Sequence, residues 1–464
     1  MIAILVPEDS DMCRMARTCR YFAEAIIPPN SGVWRTRFLD KYDHPPPDKS
    51  SEEVGIEYKV RSIMLAQTPS FQDGEGSKEK LWLSVLTTLL RASNSSTESY
   101  GTHPYQQGDE ACVSRNHARI KGAIMTSDFL NRPIVGDDLN SPITPSQSYL
   151  AIQLAATYLA LDLRLSFRSL RTDYDLKIVY GCDSTTTLGL LITAFYDGAD
   201  IDLYQLLHIR NFWKRHLTNP DEDTFYRSYH NMPEIKRPKA WEEGFGNKGS
   251  LGNRWLGYYS CIHPLPITSA DLQDRQTCAD LTSHWDSTCA LLLKLSTTTT
   301  NASTTWFPLF NETYPINPHI HPSSRTYFRG TQSLDHNHHH AHGNNNNSSS
   351  SNNDNNGQAR HHPTRGFTET CPAQAGIPGW RRICFVIYEI NPEFFLSAVD
   401  DNGEEEEEDE EEEWLPWSWT TVDFLWAYGY EGVIMPGGGI MMGKWRNMMA
   451  EVEAEAGPFI FWVV

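Results

Sequence analysis

The amino-acid sequence predicts an α+β protein: a short helical module at the N-terminus, then a mixed helical region, then a mainly antiparallel β-sheet or barrel domain with long disordered insertions. Apolar residues recur at helical spacing through the first 66 residues. Short segments rich in β-branched and aromatic residues, bounded by Gly or Pro, follow one another towards the C-terminus. Two low-complexity tracts interrupt these segments, and 464 residues suffice for two or three domains.

The helical module is predicted over residues 1–66, and its first helix is predicted to run as far as Pro28. Asp9 or Ser10 can cap this helix, because a short side-chain oxygen accepts an unpaired backbone N–H. The apolar positions of the helix are Met12, Met15, Cys19, Phe22 and Ile26. Such spacing places them on one face of a single helix.

Two more helices are predicted in the module. The second begins at Ser31 and ends before the prolines at 45–47. Its apolar positions are Val33, Trp34, Phe38 and Tyr42. The third follows a polar linker, and its apolar positions are Ile56, Val60, Ile63 and Met64. Three helices of this length are too small to be stable alone, so the module is expected to gain burial from something else.

The rest of the chain divides into five predicted segments. Residues 67–334 are a mixed helical and strand region, 359–399 hold strands of the β domain, and 414–464 hold the strands that complete it. Helices are predicted over 81–90, 149–170 and 203–217. Strands are predicted over 176–180, 257–262, 325–329, 382–390, 432–435, 440–445 and 459–464.

The two remaining segments are predicted to be disordered. Residues 335–358 are rich in His, Asn and Ser and cannot bury enough apolar area to offset the entropy of ordering. Residues 400–413 are almost all acidic and repel one another. The histidines could bind metal adventitiously, but their Asn/Ser flanks cannot fix ligands, so we expect neither a metal site nor a cofactor.

The charge balance argues against two classes of partner. The formal net charge is -20, and the acidic tract supplies more than half of it. A nucleic-acid binder would show a basic face, and a membrane-surface protein would show Lys/Arg clusters. We therefore expect no nucleic acid and no membrane as partners. The nine Cys form no CxxC pair, which favours a reducing compartment, the cytoplasm or nucleus.

Catalytic motifs are missing from the sequence. It contains no GxSxG elbow, no HExxH, no phosphate loop and no kinase signature, so we predict that the protein is not an enzyme. The glycine-rich stretch at 435–443 lacks the Lys-Ser/Thr of a phosphate loop. We interpret it as a tight hairpin in which Gly supplies positive φ.

The opening residues resemble the second half of an F-box, as found in F-box proteins of filamentous fungi. Residues 6–11 (VPEDSD) match the inner loop of the pattern, residues 18–22 (TCRYF) match its second helix, and Trp34 and Phe38 match the third. Later stretches resemble further segments of these fungal proteins, in order: LLHIRNFWKRHLTNPDEDTFYRSY, WLGYYSCIHPLP, RQTCADLTSHW, RTYFRGTQ, RGFTETCPAQAGIPGWRRICFVIYE, YEGVIMPGG and GPFIFW. The late segments also resemble, more distantly, a β-barrel substrate domain of some animal F-box proteins.

The resemblance implies a substrate-recognition subunit of an SCF (Skp1–cullin–F-box) ubiquitin ligase, with a Skp1-like adaptor and cullin complex and an unknown protein client as partners. It places five residues at the adaptor surface or in support of it: Leu5, Pro7, Met12, Cys19 and Trp34. Cys19 and Trp34 could equally be core residues. The first F-box helix is represented only by residues 2–5, so we expect either a start upstream of Met1 or weakened adaptor binding.

The client is expected on Gly/Pro-rich loops at strand ends of the β domain, where binding residues commonly lie. The candidate residues are Arg325, Arg329, Tyr430 and Pro436. One alternative is a non-catalytic scaffold or ligand-binding β domain that has lost Skp1 binding. Another is an enzyme that uses His and carboxylates in the β domain, which predicts a clustered acid–base pair.

Overall fold

A computed structural model describes most of the regular structure of the chain. The described residues are 5–6, 8–67, 71, 74–95, 114–131, 145–165, 174–180, 192–193, 200–221, 223–239, 241, 251–261, 290–297, 306, 310, 314, 322–334, 361–391, 424–449 and 456–464. Within them lie eleven α-helices and a closed barrel of eight antiparallel strands. The predicted α+β class and the predicted antiparallel barrel are confirmed. The two low-complexity tracts and Pro7 lie outside the described residues.

The chain forms two compact units. Unit 1 comprises Met1–Leu159, Ala240–Gly246 and Ala373–Pro378, and unit 2 comprises Ala160–Lys239, Asn247–Pro372 and Gly379–Val464. All eight barrel strands begin at or after Arg254, in unit 2. Three of them therefore fall within the segment 67–334 that was predicted to mix helices and strands.

The helices are labelled in chain order. They are α1 Asp9–Ala16, α2 Arg20–Ile26, α3 Gly32–Lys41, α4 Ser51–Leu65, α5 Ser77–Ser95, α6 Arg115–Met125, α7 Gln147–Ala155, α8 Thr157–Leu161, α9 Leu176–Tyr180, α10 Leu203–Thr218 and α11 Asp223–Asn231. Short polar residues begin several of them, because their side-chain oxygens accept a backbone N–H of the first turn. Ser50 and Glu53 form a full capping box at α4, and Ser114 and Ser146 cap α6 and α7.

The single first helix predicted as far as Pro28 is in fact two helices. Cys19 is extended, with φ -156° and ψ 160°, and serves as the N-cap of α2. The Thr18 hydroxyl donates to the Met15 carbonyl at 2.7 Å, which closes the last turn of the segment before it. Apolar spacing alone did not reveal this break, because the spacing continues across it.

Aromatic rings form the described core of unit 1 beyond the first helices. Phe71 lies 5.1 Å from Trp82, 4.9 Å from Phe129 and 5.9 Å from Tyr149, measured between ring centroids. These edge-to-face and tilted contacts add specificity to the burial of large apolar area. They join α5, α7 and the short 3₁₀ turn Phe129–Asn131.

The prediction of a strand at 176–180 was wrong, since these residues form α9. Their β-branched composition favours a strand, but tertiary packing decides the conformation. Tyr180 packs edge-on against Phe212 of α10 at 5.7 Å, and the Tyr180 hydroxyl lies 2.7 Å from the Ser260 hydroxyl. The helix predicted over 149–170 is divided into α7 and α8 at Ala156, and 166–170 lie outside the described residues.

The strands of unit 2 are also labelled in chain order. A two-residue pair, β1 Ile192–Thr193 and β2 Asp200–Ile201, precedes the barrel. The barrel strands are β3 Arg254–Tyr259, β4 Leu291–Thr297, β5 Arg325–Leu334, β6 His362–Thr370, β7 Arg381–Ile390, β8 Phe424–Ile434, β9 Ile440–Asn447 and β10 Ala456–Val463. Each pairs with the next strand along the chain, and β10 pairs with β3 to close the barrel. This is an up-and-down barrel without sheet edges.

The inside of the barrel is filled with side chains. Successive residues of a strand face opposite sides, so every second residue points inward. Phe385 stacks on Tyr430 with ring centroids 4.5 Å apart, and Phe459 packs edge-on against Tyr430 at 5.3 Å. A second apolar cluster covers the outside of β5 to β8, where Trp306 meets Phe367 at 4.9 Å.

The glycine-rich stretch forms the predicted hairpin between β8 and β9. The Met435 N–H donates to the Ile440 carbonyl at 2.8 Å, and the Gly438 N–H donates to the Met435 carbonyl at 2.9 Å. Gly437 and Gly438 have φ of 95° and 75°, a region that disfavours residues with a Cβ. Strands β4 and β6 were not predicted.

Candidate partner-binding surface on the N-terminal helices

The first helices of unit 1 are joined around one carboxylate. Asp9, the first residue of α1, accepts hydrogen bonds from Arg37 Nη1 at 2.7 Å, Lys41 Nζ at 2.9 Å and the Tyr58 hydroxyl at 2.7 Å. Burial opposes ionisation of Asp9, but the hydrogen bonds from Lys41 and Tyr58, with the nearby positive charges, lower its pKa below the usual value. One side chain thus connects α1, α3 and α4.

Two of the five residues assigned to the adaptor surface are core residues. Met12 is fully buried, and Trp34 is only 5% exposed. The Trp34 indole N–H donates to the Ile26 carbonyl at 2.6 Å, and its ring packs on Tyr58 at 5.6 Å. Neither side chain can contact an adaptor directly in this conformation, so both can only support the surface.

The other three assigned residues are placed differently. Leu5 is 79% exposed at the start of the described chain, and Cys19 is exposed between α1 and α2. Pro7 lies outside the described residues. Leu5 is thus the one large apolar side chain of the predicted set that the described structure leaves at the surface.

The main exposed apolar feature is a row on α4 that the assignment to an adaptor surface had missed. Ile56, Val60 and Ile63 are 50%, 38% and 61% exposed. Their spacing of four and three residues places them on one face of the helix. The opposite face is buried, and its residues are Val54, Gly55, Tyr58, Arg61 and Met64. The sequence marked both faces as apolar but could not show which one the chain itself covers.

Two more large apolar side chains are exposed on α2 and directly after it. Tyr21 on α2 is 76% exposed, and Ile27, directly after α2, is 58% exposed. Lys59 of α4 donates to the Ile27 carbonyl at 2.6 Å, which fixes the end of α2 beside α4. The five side chains Tyr21, Ile27, Ile56, Val60 and Ile63 are called the apolar row below.

The exposed large hydrophobic side chains are concentrated near the N-terminus. Six of the eleven exposed large hydrophobic side chains among the described residues lie within residues 5–63. Single exposed apolar residues are normal on protein surfaces, but a group on adjoining helices is typical of an interaction surface. The arrangement can bind another polypeptide, and it offers no nucleophile or acid–base pair of its own.

The candidate client residues do not form one surface. Tyr430 is buried inside the barrel, where its ring stacks on Phe385, and Pro436 is buried in the β8–β9 turn. Arg325 and Arg329 lie on the outward side of β5, but the Arg325 guanidinium binds Glu369 Oε1 at 2.6 Å. Arg329 is half-buried.

Arg325 belongs to a row of buried charges across the outside of the barrel. Arg382 donates to Glu369 Oε2 at 3.2 Å and to Glu431 Oε1 at 2.6 Å. Lys444 is buried opposite Glu431 on the next strand. Alternating charges on five neighbouring strands compensate one another, as buried ions must. This row is a structural element of the barrel, and its sign alternation could not be predicted without the strand register.

Two further findings concern ions and membranes. Among the described residues, no group of three or more His, Cys, Asp or Glu side chains has a geometry that could hold a metal ion. Within the same residues, no helix combines the length and apolar character needed to cross a bilayer. The His-rich tract lies outside these residues.

Comparisons with known proteins complete the description. No protein-family model, no curated protein and no solved structure matches this chain.

Proposed function

We propose that this chain is a substrate-recognition subunit of an SCF ubiquitin ligase that binds a Skp1-like adaptor through its N-terminal helices. The observation that carries the proposal is the apolar row, which lies in the same N-terminal helical module (residues 1–66) as residues 6–38, the part that resembles an F-box. The client binds in unit 2. Such a subunit catalyses no bond change itself; it raises the effective concentration of the client near the ubiquitin-loaded enzyme. The complex would act in the cytoplasm or nucleus.

The energetics are adequate for a protein partner. Complete burial of an exposed Ile or Val side chain is worth about 1.5–3 kcal/mol. Several such side chains offset part of the cost of association, which is about 4–15 kcal/mol. A few anchors of this kind commonly dominate an interface. The proposal therefore assigns the contact role to Ile56, Ile63 and their neighbours, and the supporting role to Met12 and Trp34.

The test is binding of the full chain to a purified fungal Skp1-like adaptor, measured by biolayer interferometry and by light scattering after gel filtration. Ile63→Glu places a charge in the apolar row, and because Glu is a good helix former and the position is exposed, folding should be preserved. Leu81→Glu is the matched control, since Leu81 is 48% exposed on α5 of the same unit.

We expect a one-to-one complex with the unmodified chain, a loss of affinity of about tenfold or more for Ile63→Glu, and no change for Leu81→Glu. Circular dichroism melting curves verify that both variants are folded. No capture of the adaptor by the unmodified chain would contradict the proposal and favour the scaffold alternative. Equal binding by Ile63→Glu and the unmodified chain would remove the apolar row from the interface.

A further inference from the structure

One end of the barrel carries an acidic and aromatic cluster at the opening of its interior. Gln332 and His362 are register partners on β5 and β6, and Glu389 and Trp426 are register partners on β7 and β8. All four face the inside of the barrel. A register shift between Glu389 and Ile390 marks a bulge or irregularity at this end of β7. Bulges of this kind often direct a side chain at a functional site.

The floor of this opening is made of aromatic rings. Trp426 lies 5.2 Å from Tyr428, Tyr428 lies 5.4 Å from Trp445, and Tyr259 lies 5.3 Å from Trp445, measured between ring centroids. Trp426, Tyr428 and Tyr259 are partly buried against the barrel core. The interior below them is filled with side chains of the barrel core.

Glu389 is the charged residue of the cluster. Its Oε2 accepts a hydrogen bond from the Trp426 indole N–H at 2.6 Å and lies 3.9 Å from His362 Nδ1. Its side chain is 33% exposed. Among the described residues no Lys or Arg reaches this carboxylate, and its Oε1 accepts no hydrogen bond. Glu369 and Glu431 on the outside of the same barrel, in contrast, are each bound by an arginine.

We propose that this opening binds an organic cation, the ammonium or guanidinium group of a lysine or arginine side chain in a peptide. The carboxylate of Glu389 supplies a charge-assisted hydrogen-bond acceptor through Oε1. The rings of Trp426 and Tyr428 supply the negative faces that attract a cation. A neutral polar ligand would use the acceptor but gain nothing from the charge, and an anion would be repelled by it.

The charge distribution along the chain favours the same ligand. The formal net charge is -20, and the acidic residues 400–413 follow β7 and precede β8 in the sequence. These are the strands that carry Glu389 and Trp426. A negative net charge raises the local concentration of cations and their rate of association. Weaker binding at higher salt is therefore expected.

All residues of this site lie in unit 2, whereas the apolar row lies in unit 1. If the chain is a substrate receptor, this cluster indicates that its clients are proteins with exposed segments that contain Lys or Arg. That extension rests on the proposed function, whereas the binding of a small cation does not. Failure of one experiment therefore leaves the result of the other intact.

The test uses the full chain and four small probes in a titration followed by NMR of the Trp side-chain N–H groups. Nα-acetyl-arginine amide and Nα-acetyl-lysine amide are the cationic probes, and the neutral isosteres acetyl-citrulline amide and acetyl-norleucine amide are their controls. Glu389→Gln removes the charge but retains an acceptor for Trp426. Glu234→Gln is the matched control on an exposed position of unit 2.

We expect saturable shifts with both cations, binding of the neutral isosteres weaker by about tenfold, a similar loss for Glu389→Gln, and no change for Glu234→Gln. Preference for one cation identifies the ammonium or the guanidinium as the ligand group. Equal binding of arginine and citrulline amides by the unmodified chain would overturn the proposal without any variant. So would unchanged affinity in Glu389→Gln, or the absence of saturation with either cation.

Discussion

Asp9 shows how much of the N-terminal arrangement depends on one residue. It begins α1, and its carboxylate accepts hydrogen bonds from side chains of α3 and α4. Since each of these bonds is charge-assisted or made to a charged acceptor, each is stronger than a neutral hydrogen bond. Loss of the carboxylate charge would remove the ion pair that Asp9 forms with the buried Arg37.

Asp9→Asn should therefore lower the free energy of unfolding by about 1–3 kcal/mol, measured by urea denaturation at neutral pH. Asp11→Asn is the control, because Asp11 pairs only with the exposed Arg14 at an i,i+3 spacing, and such pairs contribute little. A loss in Asp11→Asn equal to that in Asp9→Asn would contradict the assigned role.

The pH dependence of this difference follows from the lowered pKa of Asp9. A carboxyl group whose pKa is lower in the folded state stabilises the fold above its unfolded pKa, near 3.8, and this contribution is lost as the pH falls through the folded pKa. The stability difference between Asp9→Asn and the unmodified chain should be constant near neutral pH and should shrink below pH about 4. A difference that instead grows on acidification would show that the charge of Asp9 destabilises the fold.

Residue type alone could not identify the surface residues. Met12, Trp34 and Ile63 are all large, apolar and at helical spacing, yet the first two are core and the third is exposed. The difference arises from packing between helices, which periodicity does not contain. The same holds for Tyr430, whose position near a glycine-rich turn indicated a binding residue but which fills the barrel core.

At the scale of elements, the position of α4 depends on close backbone approach. A Cβ added at Gly55 would lie 1.9 Å from the Pro29 carbonyl oxygen, so a larger residue cannot be accommodated without displacing the turn after α2. Gly55 thereby lets the buried face of α4 approach that turn, and the opposite face retains its exposed isoleucines. The apolar row depends on this contact, because it fixes which side of α4 faces outward.

Gly55→Ala should lower the free energy of unfolding by about 1–3 kcal/mol, through overpacking against the turn. Gly122→Ala is a matched control on α6 of the same unit, where an added Cβ meets nothing within 4 Å. Because Ala is the better helix former, this control should stabilise the protein by up to about 1 kcal/mol. Circular dichroism melting measures both effects, and a stabilising Gly55→Ala would contradict the packing described here.

The elements were predictable where local chemistry and tertiary packing agree. Strand β7 and the second half of β10 are rich in β-branched and aromatic residues, and the β8–β9 hairpin is set by its glycines. Strand β4, with its sequence LLLKLST, has a leucine-rich composition that suits helix as well as strand. Strand β6 carries Pro363 and Gly366, and both residue types are depleted in strands. In both cases the closed barrel, not local preference, determines the conformation.

At the scale of the whole molecule, the ends of the barrel differ. At one end the β4–β5 sequence is long but the β6–β7 and β8–β9 turns are short, whereas the sequences that join β3 to β4, β5 to β6 and β7 to β8 at the other end are all long. Long connections at one end of a rigid scaffold commonly carry function. The cluster of His362, Glu389 and Trp426 lies at this end. Sequence reasoning missed it, because its members come from three different strands and the acidic tract lies between two of them.

The central claim is that another polypeptide covers the apolar row of unit 1. Hydroxyl-radical footprinting of the full chain, with and without a purified Skp1-like adaptor, measures the accessibility of individual side chains directly. The account predicts that labelling of Tyr21, Ile56 and Ile63 falls on complex formation while labelling of Leu81 is unchanged. Unchanged labelling of these three side chains in a formed complex, or protection confined to other parts of the chain, would contradict it.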